Sequence, residues 1–322
     1  MKILGVFAIL LIFIFLTLPM DAQQSTPLYR IGVLNEAWAP NHPAVEGLKS
    51  GLKELGFRES QNISFDVRFT KGDSNAMSFL AEELMKAGVD LIFTSNEAAT
   101  QAAKIVTKKI PIVFTLVGDP VAAGIVKEIA NPGGNITGVS GLETELTPKR
   151  LEILKTLVPT LRRVMAIYYA DDPSSIAAVR EARQAISLLK IELLAVAVRT
   201  PEEITIALQT LKRGDGLLPP PLAIMDIPVQ ILETSLSDRV PAVFSASLWA
   251  EYGGLVSYGS DYFSQGHQAA RLVSKILHGT RPKDLPVEGA NKIELVVNLN
   301  TARRFGLVVP EEILLWADKV IE

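Results

Sequence analysis

The stretch "KIPIVFTLVGDP", Lys109 to Pro120, decides the fold. From Ile112 to Val117 it is apolar apart from one threonine, and a proline stands on either side. A short apolar run punctuated this way reads as a strand buried on both faces, the kind found in parallel sheets covered by helices. Its pattern returns at "RVPAVFSAS", Arg239 to Ser247, with little identity between the two. One buried parallel strand met twice raises the question whether everything around it is also met twice.

Working outward, the elements do repeat. Before the first copy come the strands "YRIGVLN", "ISFDVRFT" and "DLIFTSN", alternating with helical patterns such as "SFLAEELMKAG" and "EAATQAAKIVTKK". The helix after the first strand spaces Val45, Leu48, Leu52 and Leu55 by threes and fours, the signature of one buried face. Before the second copy come "RVMAIYYA", a helix expected to bury Ile176, Val179, Ile186 and Leu189, then "IELLAVAV", "ITIALQTLKRG" and "DGLLPPP". The prolines Pro219, Pro220 and Pro221 must end that last strand. The sequence therefore predicts an α/β protein of two Rossmann-like lobes with parallel sheets.

In open α/β sheets ligands bind beyond the carboxyl ends of the strands, and two lobes facing each other there enclose a cleft. The strand ends supply "NEAW", "TSNE" and "VGDP" from the first half, and "YADDPSS" and "SASLW" from the second. Within these segments the candidates are Trp38, Thr94, Ser95, Asn96, Gly118, Asp119, Tyr169, Ser174, Ser175 and Ser245, with Tyr258 added from "GGLVSYGSDY".

Asp119 has two readings. Followed by Pro120 and a segment expected to be helical, it is a helix cap, a device repeated at Thr147-Pro148, Asp172-Pro173 and Thr200-Pro201. It also sits where a ligand would lie, so both roles stay open. Catalytic arrangements are missing from the sequence. "GVSG" lacks the spacing of a nucleophile elbow, and "NPGGNITG" lacks the lysine of a phosphate loop. The three histidines, His42, His267 and His278, fit no metal-ligand spacing, and there is no cysteine.

The chain has 322 residues, enough for two ordinary domains, and 48% hydrophobic against 21% charged residues is a globular balance. A formal net charge of -3 gives no reason to expect nucleic acid. The first residues differ from the rest. Lys2 precedes the uncharged run Ile3 to Leu18, then Pro19 and "MDAQ", which reads as an export signal or a retained anchor over residues 1–22.

The blocks "IPIVFTLVGDPVAAGIV", "NPGGNITGVSGL" with "KRLEILKTLVP", "GGLVSYGSDY" and "LPVEGANKIELVVNLNTARRFGLVVPEEILLWADKVIE" together resemble the ABC transporter substrate-binding family with tryptophan-binding, TrpX-like, members. The resemblance implies a type I periplasmic-binding fold with a multi-strand hinge. It also implies a small-molecule ligand and a membrane permease and ATPase as partners, while the N-terminal run implies an extracytoplasmic place of work, and the missing catalytic and metal-ligand patterns imply neither cofactor nor enzymatic activity. On this basis lobe 1 spans residues 28–142 plus about 253–282, and lobe 2 spans 143–252 plus about 283–322. The protein is expected to act as a monomer. Two positions depart from the family pattern: Gly118 stands where threonine is usual, and "ADDPSS" replaces an asparagine-bearing loop.

For an amino-acid-like ligand, helix starts at Ser95, Asn96, Ser174 and Ser175 offer N–H and hydroxyl donors to a carboxylate. Asp119 would pair with an ammonium. Trp38, Tyr169, Tyr258 and Trp249 are candidate apolar walls. An exported sensor that reports ligand occupancy, and more remotely an exported enzyme, are the competing readings.

Overall fold

The structure, a computed structural model, describes residues 28–37, 39–71, 73–220 and 226–322. The expected N-terminal signal or anchor, Trp38 and Pro221 lie outside the described residues.

The chain opens with β1 (Tyr29–Asn35), α1 (Pro43–Glu54), β2 (Ile63–Phe69), α2 (Met77–Lys86), β3 (Leu91–Thr94) and α3 (Glu97–Val106). Then come β4 (Ile112–Val117) and β5 (Ile136–Ser140), followed by α4 (Glu143–Leu157), β6 (Arg163–Tyr169), α5 (Pro173–Leu189), β7 (Glu192–Val198) and α6 (Pro201–Leu208). The next group is β8 (Asp215–Leu218), α7 (Asp226–Asp238), β9 (Val243–Phe244), α8 (Ser247–Glu251), β10 (Val256–Ser260) and α9 (Tyr262–Leu277). The chain ends with β11 (Glu288–Gly289), β12 (Ile293–Asn298), α10 (Leu299–Phe305), α11 (Glu311–Trp316) and β13 (Lys319–Ile321).

The first lobe is built on a 6-stranded sheet in the order β11-β5-β4-β3-β1-β2, with all neighbours parallel. Its central strands are buried along their whole length, as a sheet covered on both faces requires. One face packs on α1 and α9 through Val45, Leu48, Leu52, Ala269 and Val273, the other on α2 and α3 through Ala81, Leu84 and Ala103. The second lobe carries β7-β6-β8 and β13-β12-β10-β9, joined by a bridge between Leu217 and Ala242. Here β12 runs antiparallel to β10, because it re-enters from the first lobe.

Strand pairing locates the passages between lobes. The chain leaves the first lobe's sheet after β5, and later crosses between β10 and β11 and between β11 and β12. β10 is hydrogen-bonded to β9 and β12, which keeps residues 256–260 in the second lobe.

Three local expectations are corrected. Leu55 caps α1 and is 49% exposed, and Ile176 is 46% exposed, because each lies a step off the buried stripe. Residues 120–124 form a single turn rather than a helix, closed by Gly124 in the left-handed region at φ 63°. Thr147-Pro148 is no helix start: Pro148 lies inside α4, and Thr147 Oγ1 donates back to the Glu143 carbonyl at 2.9 Å. Asp172 and Thr200 do cap α5 and α6.

Candidate functional site

The site begins where β1 and β3 end. Asn35 is completely buried; its Oδ1 accepts from Ser95 Oγ, and its Nδ2 has no hydrogen-bond partner among the described residues. Next in the chain, Glu36 accepts from Asn96 Nδ2 at 2.5 Å, while Asn96 Oδ1 caps α3 by accepting from the Ala99 N–H at 2.8 Å. Thr94 is tied inward, its hydroxyl 2.8 Å from that of Thr100. These bonds hold the start of α3, and with it Glu97, at the rim of the sheet.

β4 ends less regularly. A register shift falls between Phe114 and Val117, and Leu116 takes φ 56°, a left-handed conformation uncommon for a leucine. The N–H that this bend turns out of the ladder donates to Gln265 Oε1 at 3.1 Å, and Gln265 Nε2 in turn donates to Ser260 Oγ at 2.6 Å. The strand end is thus tied to the passage between the lobes. Beyond it, Asp119 Oδ1 accepts from the N–H groups of Val121 (3.1 Å) and Ala122 (2.9 Å). The cap reading of Asp119 therefore holds, on a single turn.

The second lobe meets this edge with the start of α5. Ser174 Oγ accepts from the Asp119 N–H at 3.1 Å and donates to Glu97 Oε2 at 2.6 Å, so one hydroxyl joins two strand ends of the opposite lobe. Gly118 makes the approach possible: a Cβ there would lie 3.2 Å from the Cβ atoms of both Glu143 and Ser174. Asp172 caps α5 through the Ser174 N–H at 2.9 Å. Burial, together with the facing carboxylates of Asp172 and Asp119, pushes Glu97 up to about 7 against the pull of Ser174. Burial also raises Asp172 above the usual carboxylate range.

At the base of the cleft, Glu143 and Arg150 form an ion pair of 2.5 Å, with both side chains almost wholly buried. Arg150 Nε donates to the Tyr258 carbonyl at 2.7 Å, which joins α4 to β10. Glu143 Oε1 has no partner among the described residues, and burial raises the carboxyl despite the adjacent guanidinium. Tyr262 packs against the cores of both lobes and stacks on His42, with ring centroids 5.9 Å apart. Burial depresses His42 to about 4, and its Nδ1 accepts the Ala44 N–H, which puts the ring proton on Nε2.

The structure gathers Ser95, Asn96, Gly118, Asp119 and Ser174 along the interface of the lobes. Tyr169 ends β6 beside them, its buried hydroxyl lacking a partner among the described residues. Thr94 and Ser175 have their hydroxyls in structural bonds, Ser175 accepting the Tyr169 N–H at 3.0 Å. Ser245 is buried with its carbonyl against the backbone of Gly259, where a Cβ would come within 1.7 Å. Tyr258 packs into the second-lobe core and touches the site only through its carbonyl, while Trp249 lies in the neighbouring cluster against Phe244. The candidate residues left out Asn35, Glu36, Glu97 and Glu143. The first three lie in the strand-end segments "NEAW" and "TSNE", so position alone marks them. Outside the cleft, a groove of about 560 Å³ lies between α1 and β2, lined by Lys49, Lys53, Arg58 and Phe65, none of them at a carboxyl strand end.

The chain is 28% identical over 273 residues to a tyrosine-binding protein of Clostridioides difficile (strain R20291), covering 83% of this chain and 78% of the relative. A Streptococcus pneumonia ABC domain solved in complex with L-Trp superposes with a TM-score of 0.82 at 25% identity, over 91% of this chain and 99% of that one. The ligand-free, open structure of a Clostridium difficile substrate binding protein with adhesive properties gives a TM-score of 0.67 at 25% identity, with the same coverage of 91% and 99%. At equal identity the chain superposes better on the L-Trp complex than on the ligand-free, open structure. The family model for ABC transporter substrate binding proteins matches residues 40–321, and the chain belongs to that family.

Proposed function

We propose that this receptor binds a free aromatic L-amino acid between its lobes, closes over it, and presents the closed form to a membrane permease outside the cytoplasm. The observation that carries the reading is the meeting of Ser174 with Asp119 and Glu97, which joins polar strand-end residues of both lobes. The relatives' ligands, tyrosine and L-Trp, supply the ligand class.

In this reading the ligand carboxylate lies against the starts of α3 and α5, where the helix field is positive. Asn35 Nδ2 and the second N–H of Asn96 Nδ2 add donors. Asp119 gives one carboxylate oxygen to its own turn and offers the other, with Glu36, to the ammonium. Tyr169 and Tyr262 flank the side chain. Thr94, Ser175, Ser245 and Tyr258 hold the frame. The three passages serve as the hinge, and residues 1–22 direct export.

Calorimetric titration with L-tyrosine, L-tryptophan, L-phenylalanine and, as a control, arabinose tests the reading. Saturable one-site binding of at least one aromatic amino acid is expected, with that amino acid recovered unchanged after long incubation. Binding of none of the three, or recovery of a converted product, would overturn it.

A further inference from the structure

We propose that lobe closure takes up one proton on Glu97, so that mildly acidic surroundings favour the closed receptor. The proposal concerns regulation of the cleft described above and rests on that reading of it. Glu97 stands at the first position of α3, on the edge of the first lobe that the second lobe covers. In the closed arrangement Ser174 Oγ lies 2.6 Å from its Oε2.

Every charged group set against Glu97 is acidic. Asp172 faces it from the start of α5 and Asp119 from the end of β4. Glu36 stands beside α3 on the loop after β1, bonded to Asn96, and Glu145 of α4 faces Asp119 in turn. Among the described residues no lysine, arginine or histidine lies within ion-pair distance of Glu97. Closing the lobes therefore strips water from a carboxylate and brings Asp172 to it without adding a cation.

Separating the lobes removes Ser174 and Asp172 together and returns Glu97 to water. Its carboxyl then titrates near the ordinary 4.5, against about 7 when covered. Between those values closing draws one proton from solvent, and opening returns it. For an acid whose closed-state pKa is raised, closure is strongest below 4.5 and weakens as pH rises through 7. Protonated Glu97 keeps the contact, because its O–H donates to Ser174 Oγ while the serine proton rotates to another acceptor.

The chain has no cysteine, so Lys127→Cys and Arg180→Cys place spin labels on exposed positions of the two lobes. Distance distributions measured without ligand make the result independent of which solute binds. From pH 8 to pH 6 the closed-to-open ratio is expected to rise about tenfold. Glu97→Gln, neutral at every pH and able to bond Ser174, should remove most of the rise. Asp172→Asn, which still caps α5, should move the rise to lower pH. A ratio that changes less than twofold in the parent, or the same dependence in Glu97→Gln, would overturn the proposal. Loss of amino-acid binding in calorimetry would instead count against the ligand assignment alone.

Discussion

Ser174 and Asp119, 55 residues apart in sequence and on opposite lobes, are joined by a hydrogen bond of 3.1 Å from the Asp119 N–H to the Ser174 hydroxyl. The same hydroxyl reaches Glu97, so its removal should loosen the closed form without disturbing either lobe. Ser174→Ala is expected to weaken ligand binding by about 1.5–3 kcal/mol, the range for a bond to a charged group. The urea midpoint of the ligand-free protein should stay unchanged, since Asp172 remains to cap α5. Equal affinity of variant and parent would show that the contact does not contribute to capture.

Asp119 separates its two roles by substitution. Asparagine caps about as well as aspartate, so Asp119→Asn should keep ligand-free stability within about 0.5 kcal/mol, while Asp119→Ala costs about 1 kcal/mol. Both variants lose the charge offered to an ammonium. Calorimetry should therefore show weakened amino-acid binding in both, and parent-like affinity in Asp119→Asn would reduce the residue to a cap.

The buried pair at the base of the cleft predicts an asymmetry. Arg150→Met leaves Glu143 buried beside no cation and should cost about 3–5 kcal/mol in chemical denaturation. Glu143→Gln is expected to cost less, because the amide oxygen still accepts from Arg150. Combining Arg150→Met with Glu143→Leu should recover most of the loss. A double variant no more stable than Arg150→Met would mean that the Tyr258 carbonyl bond, and not the stranded charge, dominates.

Gly118 sets how closely the lobes approach. A methyl group there would stand 3.2 Å from carbons on α4 and α5, closer than packed side chains tolerate without shifting. Gly118→Thr should bias the ligand-free protein toward the open form in small-angle scattering, with a larger radius of gyration than the parent. An unchanged scattering curve would show that the neighbours yield.

His42 gives a pH prediction of opposite sign to that for Glu97. A histidine held near 4 in the folded protein contributes stability that is present above its unfolded value of 6.5 and is lost as pH falls toward 4. His42→Asn keeps the α1 cap without the titration. The difference in urea midpoint between parent and variant should move in the variant's favour between pH 7 and pH 4.5, and a constant difference would show a solvated ring.

Much of this architecture was legible in the residues. Continuous apolar runs marked β1, β3 and β4, and the repeat of their order marked two lobes. Strand-end position alone singled out Ser95, Asn96, Asp119 and Ser174. What stayed hidden was long-range. Glu143 and Arg150, seven positions apart, read like charges on a wet helix face, and only the packing of α4 against β10 buries them. Glu97 stands in the first turn of α3, where the helix field favours an acid and nothing local sets it apart. Its environment is made by residues from the other lobe, which local patterning does not report. The turn after Pro120 failed as a helix because Gly124 closes it at once, and the sequence offers capping signals there without the following apolar periodicity.

The most direct test is a crystal structure of the chain grown with L-tyrosine. The account predicts the amino acid between the lobes, its carboxylate at the starts of α3 and α5 and its ammonium at Asp119, with Ser174 still bonded across the cleft. Tyrosine bound in the groove between α1 and β2, or lobes standing apart around an empty cleft at saturating ligand, would contradict it.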